Sequence, residues 1–134
     1  MKLASLIYGE GASTDADTMR MIGSTVLNRV DAKRAKEFGS TLDEVIGKGY
    51  YAAKDNSPMY QQAVSQKFND EPSKLAWKRA YQVASGLMTG TLDRVAGHFY
   101  FKPEEITKLK KNKGFNFKVV KNTGEYGPYK VYGY

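Results

Sequence analysis

The sequence predicts a mainly α-helical single domain with a small β element near its C-terminus. Three observations carry that expectation. Apolar residues recur every three or four positions through the N-terminal two thirds of the chain, the spacing of helices with a buried face. Capping residues, glycines and prolines punctuate these runs at helix-length intervals. Only the last stretch, FNFKVVKNTGEYGPYKVYGY, reads as two strands around a glycine-rich turn.

Taken in order, Leu3, Leu6 and Ile7 define a first helix over residues 2–9, with Gly9 or Gly11 as its expected left-handed cap. The segment STDAD offers N-caps for a second helix. Met19, Ile22, Gly23, Val26 and Val30 carry that helix for about five turns, to Lys36, and Gly39 breaks it. STLDEVIG holds a capping box, Thr41 with Glu44, and opens a short helix closed by Gly47. GKGYYAAKDNSP reads as loop. Tyr60, Ala63, Val64 and Phe68 fit a short helix over residues 58–68. Pro72 suits the first turn of the next, which Leu75, Ala76, Ala80, Val83, Ala84 and Leu87 carry to Met88, ahead of Gly90. VAGHFYF is short, aromatic and of either type. PEEITKLKK has a proline start, an acidic first turn and a basic last turn, which together favour a helical turn or two. No repeat or linker interrupts the chain.

Composition narrows the function classes. The 134 residues are enough for one domain with a core, and 41% apolar with 26% charged residues is ordinary for a globular protein. No apolar run approaches the roughly 20 residues of a membrane helix. The N-terminal apolar stretch is too short for a secretory signal and is interrupted by Glu10. The absence of cysteine excludes disulfides and thiolate metal sites, and a single histidine excludes a multi-histidine zinc site. No metal or other cofactor is therefore expected. The formal charge of +7 favours an anionic partner: nucleic acid, an anionic lipid surface or an anionic cell-wall polymer. Much of the excess is late, where eight lysines face only Glu104, Glu105 and Glu125 after residue 101. Tyrosine dominates an aromatic content of 13%, and its flat faces suit sugar rings and bases equally.

Glu10 is the first candidate for chemistry. It lies three, four and seven residues after Ile7, Leu6 and Leu3, so a helix places it on their apolar face. Burial there, and the negative end of its own helix, would both disfavour the anion and keep the acid protonated. A glutamic acid protonated near neutral pH can protonate a glycosidic oxygen; lysozyme is the reference example of that logic. The bland alternative is a solvated helix-terminal glutamate. Asp15 and Asp17 follow closely enough to supply a second carboxylate about 5–9 Å away, the separation glycosidases use. Capping of the second helix is the stronger explanation of both. His98 is either a hydrogen-bonded structural residue or a polar group in the same cleft. Tyr50, Tyr51, Phe99 and Tyr100 could line a sugar groove or pack in the core.

The segments LIYGEGA, GSTVLNRV, LDEVIGKGYYA, AWKRAYQVASGLMTG and GHFYF, in that order over roughly residues 3–101, resemble the cell wall hydrolase family that includes spore-cortex-lytic enzymes. YGE and VLNRV are the most specific pieces. The resemblance implies a lysozyme-like fold, cleavage of peptidoglycan glycan strands between N-acetylmuramic acid and N-acetylglucosamine, and a catalytic glutamate at Glu10. Several members are lytic transglycosylases. The second glutamate of the family's E-A-R-G-E pattern is missing here, since Ala12 to Thr14 occupy that neighbourhood. Tyr50–Tyr51 replace a glutamine–phenylalanine pair usual in the aromatic loop.

The resulting expectation is a monomeric transglycosylase in which Glu10 serves as acid and base, with Tyr50, Tyr51, His98 and Tyr100 binding substrate. A muramidase using Asp15 or Asp17 is the alternative within the same class. Outside it stands a basic, tyrosine-rich nucleic-acid-binding module. No helix-turn-helix signature, RNP-like strand or phosphate loop supports that reading, so no specific nucleic-acid partner is expected. Without a visible signal, a wall enzyme would be made in the cytoplasm and reach the wall by lysis, a virion or a secretion machine.

Overall fold

Helix α1 (Lys2–Gly11) is the centre of the fold. Leu3, Ala4, Leu6, Ile7 and Tyr8 are all fully buried, so α1 is covered on every side and not along one stripe. The computed structural model describes residues 1–134. Around α1 pack α2 (Ala16–Asp31), α4 (Leu42–Gly49), α5 (Tyr51–Lys54), α6 (Pro58–Ser65) and α7 (Glu71–Thr89), with the single turn α3 (Ala35–Phe38) between α2 and α4. Tyr8 can be buried whole because its hydroxyl donates to Gln62 Oε1 at 2.9 Å.

The helical expectations hold with five corrections, the first being that α6 ends at Ser65, where Gln66 turns left-handed, and leaves Phe68 outside the helix expected to reach it. Gly9 and Gly11 are not left-handed caps; both lie inside α1, and neither has a positive φ. Helix α2 begins at Ala16, capped by Asp15, whose carboxylate accepts from Thr18 N–H at 2.8 Å. It ends at Asp31, five residues short of the expected Lys36. Lys33 then turns the chain with φ 57°, and α3 folds Phe38 back under the Arg29 guanidinium, 5.0 Å from the ring centroid. A straight continuation would have carried Phe38 out of the core, where it is now buried. Thr41 caps α4 as expected, accepting from Glu44 N–H, but the helix runs through Gly47, around which there is open space, to Gly49. The segment read as loop contains the helical turn α5. Asp70 caps α7, with Pro72 in its first turn and Gly90 (φ 80°) closing it.

Beyond the helices, β1 (Phe99–Phe101), β2 (Lys121–Tyr126) and β3 (Tyr129–Gly133) form an antiparallel sheet in the order β1-β3-β2. The two expected C-terminal strands are β2 and β3, with a bulge between Asn122 and Gly124, and VAGHFYF resolves as β1 preceded by an irregular lead-in. Tyr100 pairs with Val131 in the register. The period-two alternation turns Tyr100 toward Tyr50 and Tyr129, and Phe99 and Phe101 toward Phe115. Helix α8 (Pro103–Asn112) follows β1 directly. It starts at its proline, as expected, and the backbone N–H of Lys102 donates to Glu105 Oε1 at 2.8 Å. No helix is long and apolar enough to cross a membrane.

Helices α1, α2 and α7 meet at Gly23. A Cβ there would lie 2.6 Å from Leu87 Cδ1 and 2.9 Å from Ile7 Cδ1. The substitution Gly23→Val should therefore overpack this junction and lower stability by about 1–3 kcal/mol, measured by urea denaturation. Wild-type stability in that variant would show that the three helices separate freely.

Candidate active site

Glu10 sits in the last turn of α1 and lines a cleft of about 550 Å³. The size is that of a ligand site. The other walls come from Arg29 of α2, Gly49 to Tyr51 at the α4–α5 junction, Tyr100 to Lys102 around β1, Glu104 and Glu105 of α8, and Tyr129 of β3. A second depression of similar size, lined by Met1, Tyr60, Val64 and Trp77 among others, contains no carboxylate.

The Glu10 carboxyl group has two differentiated oxygens. Oε1 accepts from the backbone N–H of Ala52 at 3.0 Å. That N–H belongs to the first turn of α5, whose N-cap Tyr50 offers no side-chain acceptor, so Glu10 satisfies a donor the helix leaves open. Oε2 has no protein partner, yet it is not among the sealed unpaired atoms, of which Thr18 Oγ1 is the only one. It therefore opens on the cleft. Gly9 makes this possible: a Cβ there would lie 2.9 Å from Ala52 Cβ, so a larger residue would push α5 and its N–H away.

Burial raises the pKa of Glu10 above the ordinary carboxylate value and is the largest influence on it. The Ala52 hydrogen bond opposes it, the Glu105 charge adds to it, and Arg29 works against it. Arg29 does not form an ion pair with Glu10; the four ion pairs of the protein engage Lys2, Arg34, Lys74 and Arg94. Burial raises the Tyr100 phenol well above its usual range, with Glu10 reinforcing the effect, and Tyr129 is raised by the same two causes. Both stay protonated beside the acid.

Three of the tyrosine expectations meet here. Tyr50 borders the cleft but is itself buried, its hydroxyl being paired with Thr25 Oγ1 at 2.8 Å inside the core. Tyr51 is 72% exposed at the rim, a flat face free for a ligand. Tyr100 lies between Tyr50 and Tyr129, with centroids at 6.3 and 5.0 Å.

Other sequence candidates lie elsewhere. His98 does not line the cleft. Its ring stacks on Phe38 at 6.0 Å, its Nδ1 accepts from Tyr134 N–H at 3.4 Å, and it borders a separate depression with Asn28 and Gly97. Partial burial, with Arg29 and Arg34 nearby, lowers its pKa, which keeps the imidazole neutral. Asp15 is the α2 cap, and its pKa is lowered by the Thr18 hydrogen bonds. Asp17 borders a shallow depression with Arg20 and Gln82. Neither aspartate lines the Glu10 cleft. Phe99 packs against Phe115 at 4.7 Å. The carboxylates that do share the cleft are Glu104 and Glu105, read from sequence only as the acidic first turn of a helix. Arg29 and Tyr129 also escaped the sequence reading, the first inside VLNRV and the second among several strand tyrosines.

No family model, curated protein or solved structure matches the chain.

The raised pKa of Glu10 has a thermodynamic consequence. A carboxyl group whose folded-state pKa exceeds its unfolded value of about 4.3 binds more protons in the folded state between those two values. Stability then falls as pH rises through that window and stays lowered above it. Glu10→Gln, which keeps the acceptor for Ala52 but cannot ionise, should match the wild type below about pH 4 and exceed it near pH 7. Urea denaturation at the two pH values tests this; a variant less stable at neutral pH would contradict it.

Proposed function

We propose that the protein cleaves peptidoglycan glycan strands between N-acetylmuramic acid and N-acetylglucosamine, as a lytic transglycosylase of the cell wall hydrolase kind. One observation carries the reading: a glutamic acid whose pKa is raised by burial, half-buried in an aromatic cleft, holds one oxygen on a backbone N–H and leaves the other open. The proton on the open oxygen is available to a glycosidic oxygen. Tyr51, Tyr100 and Tyr129 give the cleft flat faces for sugar rings.

In this mechanism Glu10 donates its proton to the linking oxygen as the bond from the muramic C1 breaks. The Glu10 carboxylate then removes the proton of the muramic C6 hydroxyl, whose oxygen bonds to C1 and closes a 1,6-anhydro ring. Glu10 ends protonated, no water is consumed, and one residue serves as both acid and base.

Hydrolysis is the second reading, and the placement of Glu104 in the same cleft favours it. Water would then attack C1, with Glu104 as the second carboxylate. Glu105 is less suited to that role because its Oε1 is engaged by the Lys102 N–H. Asp15 and Asp17 have no part in either version.

Glu10→Gln should reduce clearing of purified cell walls by about 10²- to 10⁴-fold or more, the usual worth of general acid–base catalysis. Asp15→Asn and Asp17→Asn should retain activity. Mass spectrometry of the digest should show anhydro ends, one water lighter than reducing ends. Reducing ends, with collapse of activity in Glu104→Gln, would replace the transglycosylase by the hydrolase. Full activity in Glu10→Gln would end both.

A further inference from the structure

We infer that Arg29 is a substrate-binding residue whose free guanidinium edge takes the acetamido carbonyl of an N-acetylated sugar; this rests on the glycan reading of the Glu10 cleft. Arg29 is only 9% exposed. Its guanidinium is caged by Phe38, Tyr50 and Phe99, at 5.0, 4.6 and 5.0 Å from their ring centroids. Nε donates to the His98 carbonyl at 2.6 Å, while Nη1 and Nη2 donate to no protein acceptor. Neither nitrogen is sealed off, because the only sealed and unpaired side-chain atom is Thr18 Oγ1. Arg29 lines the Glu10 cleft, so these donors open there. A cation this buried, with no carboxylate partner, is an incomplete arrangement that an acceptor from a ligand completes.

The cleft also limits what that acceptor is. Glu104 and Glu105 already balance the cations Arg29 and Lys102, and Glu10 adds no positive charge in either protonation state. An anionic ligand group would meet those two carboxylates, whereas a neutral carbonyl would not. The acetamido group of an N-acetylated sugar is such an acceptor, and plain glucose has none. Gly49 keeps the approach clear: a Cβ there would lie 2.3 Å from Nη1. Gly49 ends a helix and its φ is not positive, so alanine would act by bulk alone.

The test uses the Glu10→Gln chain, which cannot turn over substrate, titrated by calorimetry with β-1,4-linked N-acetylglucosamine oligomers and glucose oligomers of equal length. The N-acetylated oligomer should bind about tenfold more tightly or better, the worth of one charge-assisted hydrogen bond. Adding Arg29→Lys or Gly49→Ala should remove that preference, so that each variant binds the N-acetylated oligomer no more tightly than the glucose oligomer. Should Arg29→Lys fail to fold, Gly49→Ala carries the test, since it leaves Arg29 itself unchanged and obstructs its guanidinium edge by bulk. Retention of the preference in a folded Gly49→Ala protein overturns the assignment. Equal binding of the two oligomers by the parent chain overturns it too, with the glycan cleft left standing. Binding of neither oligomer overturns the glycan reading together with this one.

Discussion

The candidate site depends on burying one helix on every side. Most helices of a small domain keep a solvated face, but α1 has none along Leu3 to Tyr8. A helix enclosed in this way carries its last turn into the interior, and Glu10 is in that turn. Desolvation of the carboxyl group is thus a consequence of packing. The two flanking glycines belong to the same arrangement. At Gly9 the chain admits α5 and α6, where a Cβ would stand 2.9 Å from Ala52 Cβ and 3.1 Å from Tyr60 Cβ. At Gly11 it admits α2, where a Cβ would stand 2.7 Å from Ile22 Cδ1. Glycine on both sides of the acid brings neighbours to its backbone, and Ala52 N–H arrives with them.

The opposite wall is positioned by one face of α2. Ser24 Oγ accepts from Val95 N–H at 3.0 Å, and Asn28 Nδ2 donates to the carbonyls of Val95 at 3.0 Å and Gly97 at 2.8 Å. Arg29 Nε continues the series at the His98 carbonyl. The irregular segment before β1 therefore has its backbone groups satisfied by side chains, with no need of helix or sheet. The segment ends in the strand that delivers Tyr100 to the cleft. Asn28 and Arg29 of VLNRV thus do structural work at a distance of about seventy residues along the chain, which is why their value is invisible locally.

Legibility in the sequence followed the range of the interactions. Helix caps are local, and Thr41 and Gly90 act where spacing placed them. Periodicity located the long helices, yet it overran at Lys36, because Val30 continues the apolar spacing while the burial of Phe38 demands a turn at Lys33. The position of Glu10 was legible because Leu3, Leu6 and Ile7 share its helix. Glu104 and Glu105 were not, since an acidic first turn looks the same whether it faces solvent or a cleft. His98 was misplaced for a related reason: a polar group beside cleft tyrosines in sequence was read as sharing their cleft, but the lead-in to β1 is held by α2 and turns the ring onto Phe38. The paired tyrosines Tyr50 and Tyr51 split between core and rim, which follows from the turn α5 that begins between them.

Charge placement then decides the protonation state on which the proposed chemistry rests. Three groups act on Glu10 besides burial, and two of them favour the anion. Had Arg29 reached the carboxylate, the pair would have held the acid ionised and removed its proton from use. The aromatic cage prevents this. Phe38, Tyr50 and Phe99 hold the guanidinium against their rings, and the His98 carbonyl takes its Nε, so the cation remains in the cleft without pairing with the acid. The Ala52 hydrogen bond is a weaker counterforce than burial, and it occupies one oxygen only. When Glu10 is protonated, the proton accordingly belongs on the oxygen that faces the cleft. In the proposed chemistry a buried acid, a neighbouring cation kept off it, and a single backbone bond that orients it serve to present a proton to the ligand, with the Glu105 charge reinforcing burial.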